Sequence, residues 1–184
     1  MNETLNEADQ KMSKSVEATR EEFAAIRAGR ANPAMFAKIT ADYYGTPTPL
    51  QQLASFTSQD ARTIIVAPFD INALSDIEKA IRDSDLGVNP SNDGKTIRCA
   101  FPELTEERRK EYIKVARTKA EEGRVSVRNV RRTAKQALEK LEKDGEVGKD
   151  DVTGAEKKLD ATTKKHTDAI DEMLKHKESE LLEV

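Results

Sequence analysis

Tryptophan is absent and aromatic residues make up only 4% of the 184-residue sequence, so a thick globular core built around large rings is excluded. The single cysteine, Cys99, rules out an internal disulfide and points to a reducing cytosol. Only two histidines occur, which leaves little material for a metal centre. No apolar run approaches the roughly 20 residues that a membrane span requires. Met1-Asn2-Glu3-Thr4 opens straight into a helical pattern, without the features of a signal or transit peptide. What the chain holds in abundance is charge, on 35% of its residues, summing to a net −3. Disorder does not follow, because the apolar residues recur in strict periods.

The small net charge conceals an asymmetry. Residues 105–141 carry twelve Lys/Arg against six Asp/Glu, whereas 142–184 carry eight against thirteen. One strongly basic segment in a near-neutral whole is a first sign of a polyanionic partner. Leu5, Ala8, Met12, Val16, Thr19, Phe23 and Ile26 repeat in steps of three and four and predict a helix over about 2–29, stopped by Gly29 and Asn32-Pro33. A second such repeat, from Ile113 and Ala116 to Ala137 and Leu141, predicts a helix over 105–144 with Thr105 as its N-cap. Gly145 and Gly148 break it, and a third helix over 150–183, capped by Asp150 or Asp151, carries Val152, Ala155, Leu159, His166, Ile170, Met173 and Leu181.

Between the first two helices the period changes to two. Ile39 to Tyr43, Leu53 to Thr57, Arg62 to Ala67 and Thr96 to Phe101 read as strands, with Tyr44 to Pro49 and Asn89 to Gly94 as turns. Ser75 and Glu78 read as a capping box ahead of a short helix. The predicted fold class is therefore α+β: a long antiparallel three-helix bundle, 1–30 plus 105–184, with an inserted small β/α/β domain, 31–104. Only two stretches of chain would join the parts, Gly29-Arg30-Ala31 and Pro102-Glu103-Leu104-Thr105, and two such crossings suit a hinge.

No motif for catalysis stands out, and no enzyme activity or cofactor is expected. Gly94-Lys95-Thr96 has the tail of a phosphate-binding loop, but Asn89 stands where the loop needs glycine, and a strand rather than a helix should follow. His166 and His176 fall about 80° apart on one helix with no further ligand nearby, so His166 reads as a helix-packing residue with a polar tip. Cys99 reads as a small core residue. The basic segment is more specific. At 100° per residue, Lys110, Arg117, Arg124, Arg128, Arg131 and Lys135 lie within about 40° of one line, flanked by Arg132 and about 100° from the apolar seam. Guanidinium suits bidentate phosphate contact, and Arg117, Arg124, Arg128, Arg131, Arg132 and Lys135 are the candidate RNA-binding residues. The competing reading has the same side chains pairing with acids of the third helix.

Several motifs are longer than any of these. Ile26-Arg27-Ala28-Gly29-Arg30-Ala31-Asn32-Pro33, Tyr43-Tyr44-Gly45-Thr46-Pro47-Thr48-Pro49-Leu50, Ser84-Asp85-Leu86-Gly87-Val88-Asn89-Pro90, Leu104-Thr105-Glu106-Glu107-Arg108-Arg109 and Val125-Ser126-Val127-Arg128-Asn129-Val130-Arg131-Arg132 follow one another in order. The chain in these stretches closely resembles the ribosome recycling factor family, nearly end to end. The resemblance implies an L-shaped, hinged, monomeric cytoplasmic protein that binds large-subunit rRNA of a post-termination ribosome. It further implies that elongation factor G, using GTP, moves the factor so that the subunits separate. Arg128 and Arg131 match arginines the family needs for ribosome binding. The rival readings are an independent RNA-binding protein and a structural coiled coil.

Overall fold

Ala8, Met12, Val16, Thr19 and Phe23, spaced four, four, three and four apart, form the buried face of α1 (Asn2–Ala25). The computed structural model describes residues 1–183. Two more long helices follow the intervening α+β segment, α4 (Glu106–Lys143) and α5 (Lys149–Leu182). The 38 residues of α4 correspond to about 57 Å at 1.5 Å per residue. Contacts divide the chain into two units, one of Met1–Phe23 and Lys114–Glu178, the other of Ala24–Ile113 with the residues from Ser179 onward. The chain thus passes between units at three points, each beside or within a long helix.

In the first unit the bundle interior is narrow because α4 offers mainly small residues: Ala116, Ala120, Gly123, Val127 and Ala134, with Leu138. Met12, Leu138, Leu159 and Ile170 are among the largest fully buried side chains, each contributing about 1.5–3 kcal/mol of transfer free energy. At Gly123 the backbone of α4 comes so close to α1 that an added Cβ would overlap Thr19 Oγ1 and stand 3.2 Å from Ile170 Cδ1. Polar contacts fix the register. Ser15 and Ser126 share a hydrogen bond of 2.8 Å, and buried His166 meets Asp9 through Nε2 at 2.7 Å. His166 is thus the helix-packing residue that its seam position predicts.

The helix ends follow local chemistry, with two departures from the sequence reading. Thr105 Oγ1 accepts the Arg108 N–H at 3.2 Å, so the expected N-cap of α4 is in place. At the other end Gly145, at φ 74°, donates to Glu142 and Glu146 donates to Leu141, a Schellman closure of α4. The first departure is at α5, which begins one residue early. Val152 N–H reaches Gly148 carbonyl, and Asp150 and Asp151 sit in the first turn, favouring the helix dipole rather than capping. The second is larger, because α1 stops at Ala25 instead of running to 29. Ile26, Arg27 and Ala28 are all buried, and three consecutive buried residues cannot lie on one face of a helix.

The second unit holds a hairpin and a sheet. Strands β1 (Thr40–Tyr43) and β2 (Thr46–Pro49) pair antiparallel through the two-residue turn Tyr44-Gly45, both at positive φ. The stretch expected to be all turn is therefore strand over its last four residues. Tyr43 pairs with Thr46 next to the turn, which places Pro47 and Pro49 at the alternate, non-hydrogen-bonded positions, where a missing N–H breaks no ladder bond. After the single turn α2 (Leu50–Leu53), strands β3 (Ala54–Asp60), β4 (Thr63–Pro68), β5 (Asn89–Asn92) and β6 (Ile97–Ala100) form an antiparallel sheet in the order β3-β4-β6-β5. Here too a predicted turn, Asn89 to Gly94, is a strand up to Asn92.

Ile64 and Val66 of β4 alternate inward against Ile97 and Cys99 of β6, and Ile77 and Ile81 of α3 (Leu74–Arg82) complete that core with Phe36 and Leu50. The Ser75–Glu78 capping box is not formed. Asp70 caps a 3-10 turn over Ile71–Ala73 by accepting the Asn72 N–H, and α3 grows directly out of that turn with Ser75 already inside it. Glu78 instead bonds Arg82 and Asn92.

Candidate nucleic-acid interface

The seam of α4 is turned into the bundle, which leaves the residues about a quarter turn away at the edge shared with α5. The cation row predicted there is present, but it does not stand free in solvent. Arg117 Nε meets Glu178 at 2.7 Å, Arg124 Nε meets Asp171 at 2.6 Å and Arg131 Nε meets Asp160 at 2.7 Å, all across to α5. Within α4, Arg124 and Arg128 share Glu121 at 3.0 and 3.2 Å, and Lys135 lies 4.0 Å from Glu139. Arg132 is exposed and forms no ion pair among the described residues. Side-chain exposure varies along the row, from 20% at Arg124 and 37% at Arg131 to 55% at Arg128 and 64% at Arg117.

The ladder has a simple register. Arg117 with Glu178 and Arg124 with Asp171 are seven residues apart on both antiparallel helices. Seven further residues back along α5 is Lys164, so Arg131 turns to Asp160, and Lys164 is held by Asp168 at 2.5 Å. A shallow groove of about 520 Å³ lies between the helices, lined in part by Glu121, Arg124, Arg128, Asp171, Lys175 and Glu178. The Arg124 hydrogen bond, offset by slight burial and joined by that of Arg128, holds the Glu121 carboxyl below its ordinary pKa. Burial works to lower the Arg124 pKa, but the bonds to Asp171 and Glu121 outweigh it and raise the value.

Chemically, the row is a line of guanidinium groups whose carboxylate partners are about half exposed, apart from the more covered Glu178. Exposed pairs of this kind contribute about 0–1 kcal/mol each. Phosphates, which accept bidentate guanidinium bonds, compete with such carboxylates on favourable terms.

The other residues singled out from sequence fall elsewhere. Among the expected hinge positions, Arg30, Pro102, Glu103 and Thr105 are exposed, Ala31 and Leu104 are buried, and Gly29 is half-buried; all lie inside the second unit. Ala31 N–H donates to Ala61 and Phe101 N–H to Arg62, so the inner ends of both stretches are tied to the β3–β4 turn. Arg27, its pKa lowered chiefly by burial, lies over the Phe101 ring at 5.4 Å.

In the Gly94-Lys95-Thr96 turn the Lys95 and Thr96 N–H groups donate to Asp93 Oδ1, so the loop's own carboxylate fills the place an anion would need. Among the described residues no group of three or more His, Cys, Asp and Glu is arranged to hold a metal, and no helix is long and apolar enough to cross a membrane. Cys99 is fully buried and its thiol is pushed up to about 12, first by burial and then by the Glu78 charge. It is therefore expected to react with N-ethylmaleimide at pH 8 about a hundredfold or more slowly in the native chain than in urea. Equal rates would place the thiol at the surface.

Sequence reading missed a second cluster, Tyr43, Tyr44 and Phe69 around Asp70. Its only signal was a tyrosine next to glycine between two short β-patterned runs.

A helical bundle coupled to a small antiparallel α+β sheet, with an arginine ladder along one helix, is the class of protein that fold and site define. The ribosome recycling factor family model matches residues 19–182. Ribosome-recycling factors of a Nocardioides species, Acidothermus cellulolyticus and Cutibacterium acnes are 78%, 66% and 62% identical to the chain over all 184 residues, with both sequences fully covered in each case. A solution structure of the ribosome recycling factor matches with a TM-score of 0.76 at 38% identity, covering 100% of this chain and 97% of the other. A second structure matches with a TM-score of 0.69 at 43% identity, covering 99% and 98%; it represents the T. thermophilus ribosome recycling factor and E. coli elongation factor G bound to the E. coli post-termination complex. This chain belongs to the ribosome recycling factor family.

Proposed function

We propose that the chain binds the post-termination ribosome in the cytoplasm as a monomer and, with elongation factor G and GTP, promotes separation of the subunits without catalysing a reaction itself. The observation that carries this reading is 78% identity, end to end, with a ribosome-recycling factor. The structural neighbour bound to a post-termination complex, together with elongation factor G, supports the choice of partners.

In this proposal Arg117, Arg124, Arg128, Arg131 and Lys135 exchange their carboxylate partners for phosphates of large-subunit rRNA, and Arg132 joins them with no ion pair among the described residues to give up. Counterions released from the RNA add to the affinity, so binding falls with salt. The anchored α4 then serves as a stiff lever. Gly29-Arg30-Ala31 and Pro102-Glu103-Leu104-Thr105 act as the hinge about which the bundle, 1–30 plus 105–184, and the small domain, 31–104, change their angle. A protein that hydrolyses nothing supplies no work, so the motion comes from the GTPase.

The purified chain should therefore split post-termination ribosomes when elongation factor G and GTP are both added, and not when either is left out. Light scattering or sedimentation reads the result directly. Splitting by the chain alone, or none under the full conditions, would refute the proposal.

A further inference from the structure

Three of the six large apolar side chains that stand exposed among the described residues gather at one place in the second unit. Tyr44 is 77% exposed, Phe69 70% and Ile71 55%. Phe69 and Ile71 flank Asp70 in the chain. Tyr43 and Tyr44 hydroxyls both donate to Asp70 Oδ2, at 3.0 and 3.4 Å, and their rings lie 4.6 Å apart. Phe69 is pinned by its N–H to the Leu53 carbonyl at 2.9 Å. The positive φ of Tyr44, 51°, belongs to the turn that joins β1 and β2 and fixes where its ring stands. The exposed side chains add nothing to the buried core of the unit, since Tyr44, Phe69 and Ile71 all lie outside it. Exposed apolar groups gathered at one place mark surfaces used for recognition.

The electrostatics select the partner. Asn72 N–H and then the Tyr43 hydroxyl hold the Asp70 carboxyl below the ordinary range, so it remains charged at neutral pH. The two stretches of chain that carry the cluster, residues 39–50 and 68–77, contain Asp42, Asp70 and Asp76 and no lysine or arginine. Nucleic acid is disfavoured here by negative charge, the opposite sign to the cation row on α4. A carboxylate framed by exposed rings is complementary to a cation with a flat apolar face, and guanidinium meets both demands. An apolar rim around one charged anchor is also the usual make-up of a protein–protein hot spot.

We propose that Tyr44, Phe69 and Ile71, gathered round the Asp70 carboxylate, form a docking surface for a protein segment that presents an arginine or lysine side chain among apolar neighbours. The inference goes beyond the proposed function and is independent of the role given to α4.

The isotopically labelled full chain titrated with acetyl-Leu-Arg-Phe amide should show amide shifts at Tyr44, Phe69, Asp70 and Ile71. These should saturate at about a tenfold lower concentration than with acetyl-Leu-Gln-Phe amide. Asp70→Asn, which keeps an acceptor for the Asn72 N–H, should remove that preference while the melting temperature falls by no more than a few degrees. Equal responses to the two peptides, shifts centred elsewhere, or a preference that survives Asp70→Asn would each overturn the proposal. A photoreactive benzoylphenylalanine in place of Phe69 gives a second reading, in a mixture of post-termination ribosomes, elongation factor G and GTP. The adduct should form on a protein segment bearing a nearby arginine or lysine, whereas attachment to rRNA counts against it. Subunit splitting by the unmodified chain in the same mixture reports separately on the proposed function.

Discussion

Changing Arg128 and Arg131 together to alanine is expected to abolish ribosome splitting, even with elongation factor G in excess, while the melting temperature falls by only a few degrees. The ion pairs lost are Arg128–Glu121 and Arg131–Asp160, with the carboxylate side chains 55% and 57% exposed. Exposed pairs contribute about 0–1 kcal/mol, and in a chain of this size about 1 kcal/mol moves the melting temperature by roughly 2–4 °C. Each lost phosphate contact should also lower the salt slope of ribosome binding by about one unit, a magnitude derived from duplex nucleic acid. Lys110, exposed near the start of α4 and paired with Glu106 at 3.2 Å, should matter far less. Melting and ribosome affinity are to be measured on the same double variant. A large loss of melting temperature with normal affinity would show that the arginines serve the packing of α4 on α5 instead.

The largest stability effect is expected at Gly123. Replacing it with alanine would gain about 1 kcal/mol of helix propensity in isolation. In the bundle the new methyl meets Thr19 Oγ1 in α1 and crowds Ile170 of α5, so Gly123→Ala should instead destabilise the chain by about 1–3 kcal/mol net. Thr19→Ala removes the obstructing oxygen, which otherwise donates to Ser15 carbonyl at 2.9 Å. The double variant should therefore be more stable than Gly123→Ala alone, with a coupling of about 0.5–3 kcal/mol. Urea melts of the four proteins give the cycle. A Gly123→Ala protein at least as stable as the parent would mean the helices part at little cost.

Much of the fold was legible because it depends on local period and local caps. The seams of α1 and α5, that of α4 as far as Ala134, the Thr105 cap and the strand from Arg62 to Ala67 needed no knowledge of distant residues. Beyond Ala134 the buried residue is Leu138, and the expected Ala137 is exposed. The misreadings share a cause, which is that a distant contact decided the local outcome. Ile26 fits the helical repeat, yet the burial of Ile26, Arg27 and Ala28 together pulls that segment out of the helix. Pro47 and Pro49 spell a turn by composition, but pairing with β1 puts them where their missing N–H groups do no harm. Ser75 and Glu78 have the spacing of a capping box, but Asp70 caps a 3-10 turn that runs straight into α3 and leaves Ser75 inside the helix.

The site divides in the same way. The cation row on α4 is a one-helix property and could be read off at 100° per residue. Its carboxylate partners on α5 depend on the register between two antiparallel helices, which Arg124 and Asp171 reveal only once brought together. The cluster around Asp70 joins residues 26 apart in sequence, so no local pattern announces it.

The two prolines of β2 have a further consequence for behaviour at high concentration. An antiparallel strand turns the backbone groups of its non-hydrogen-bonded positions outward, and in β2 those positions are Pro47 and Pro49. The free border of the two-stranded hairpin thus offers carbonyl groups but no donors at these positions. A strand from another molecule that tried to extend the hairpin would find half of its ladder missing. An otherwise sticky β border is in this way closed to end-on growth into fibrils or swapped oligomers, without a covering helix or an added charge.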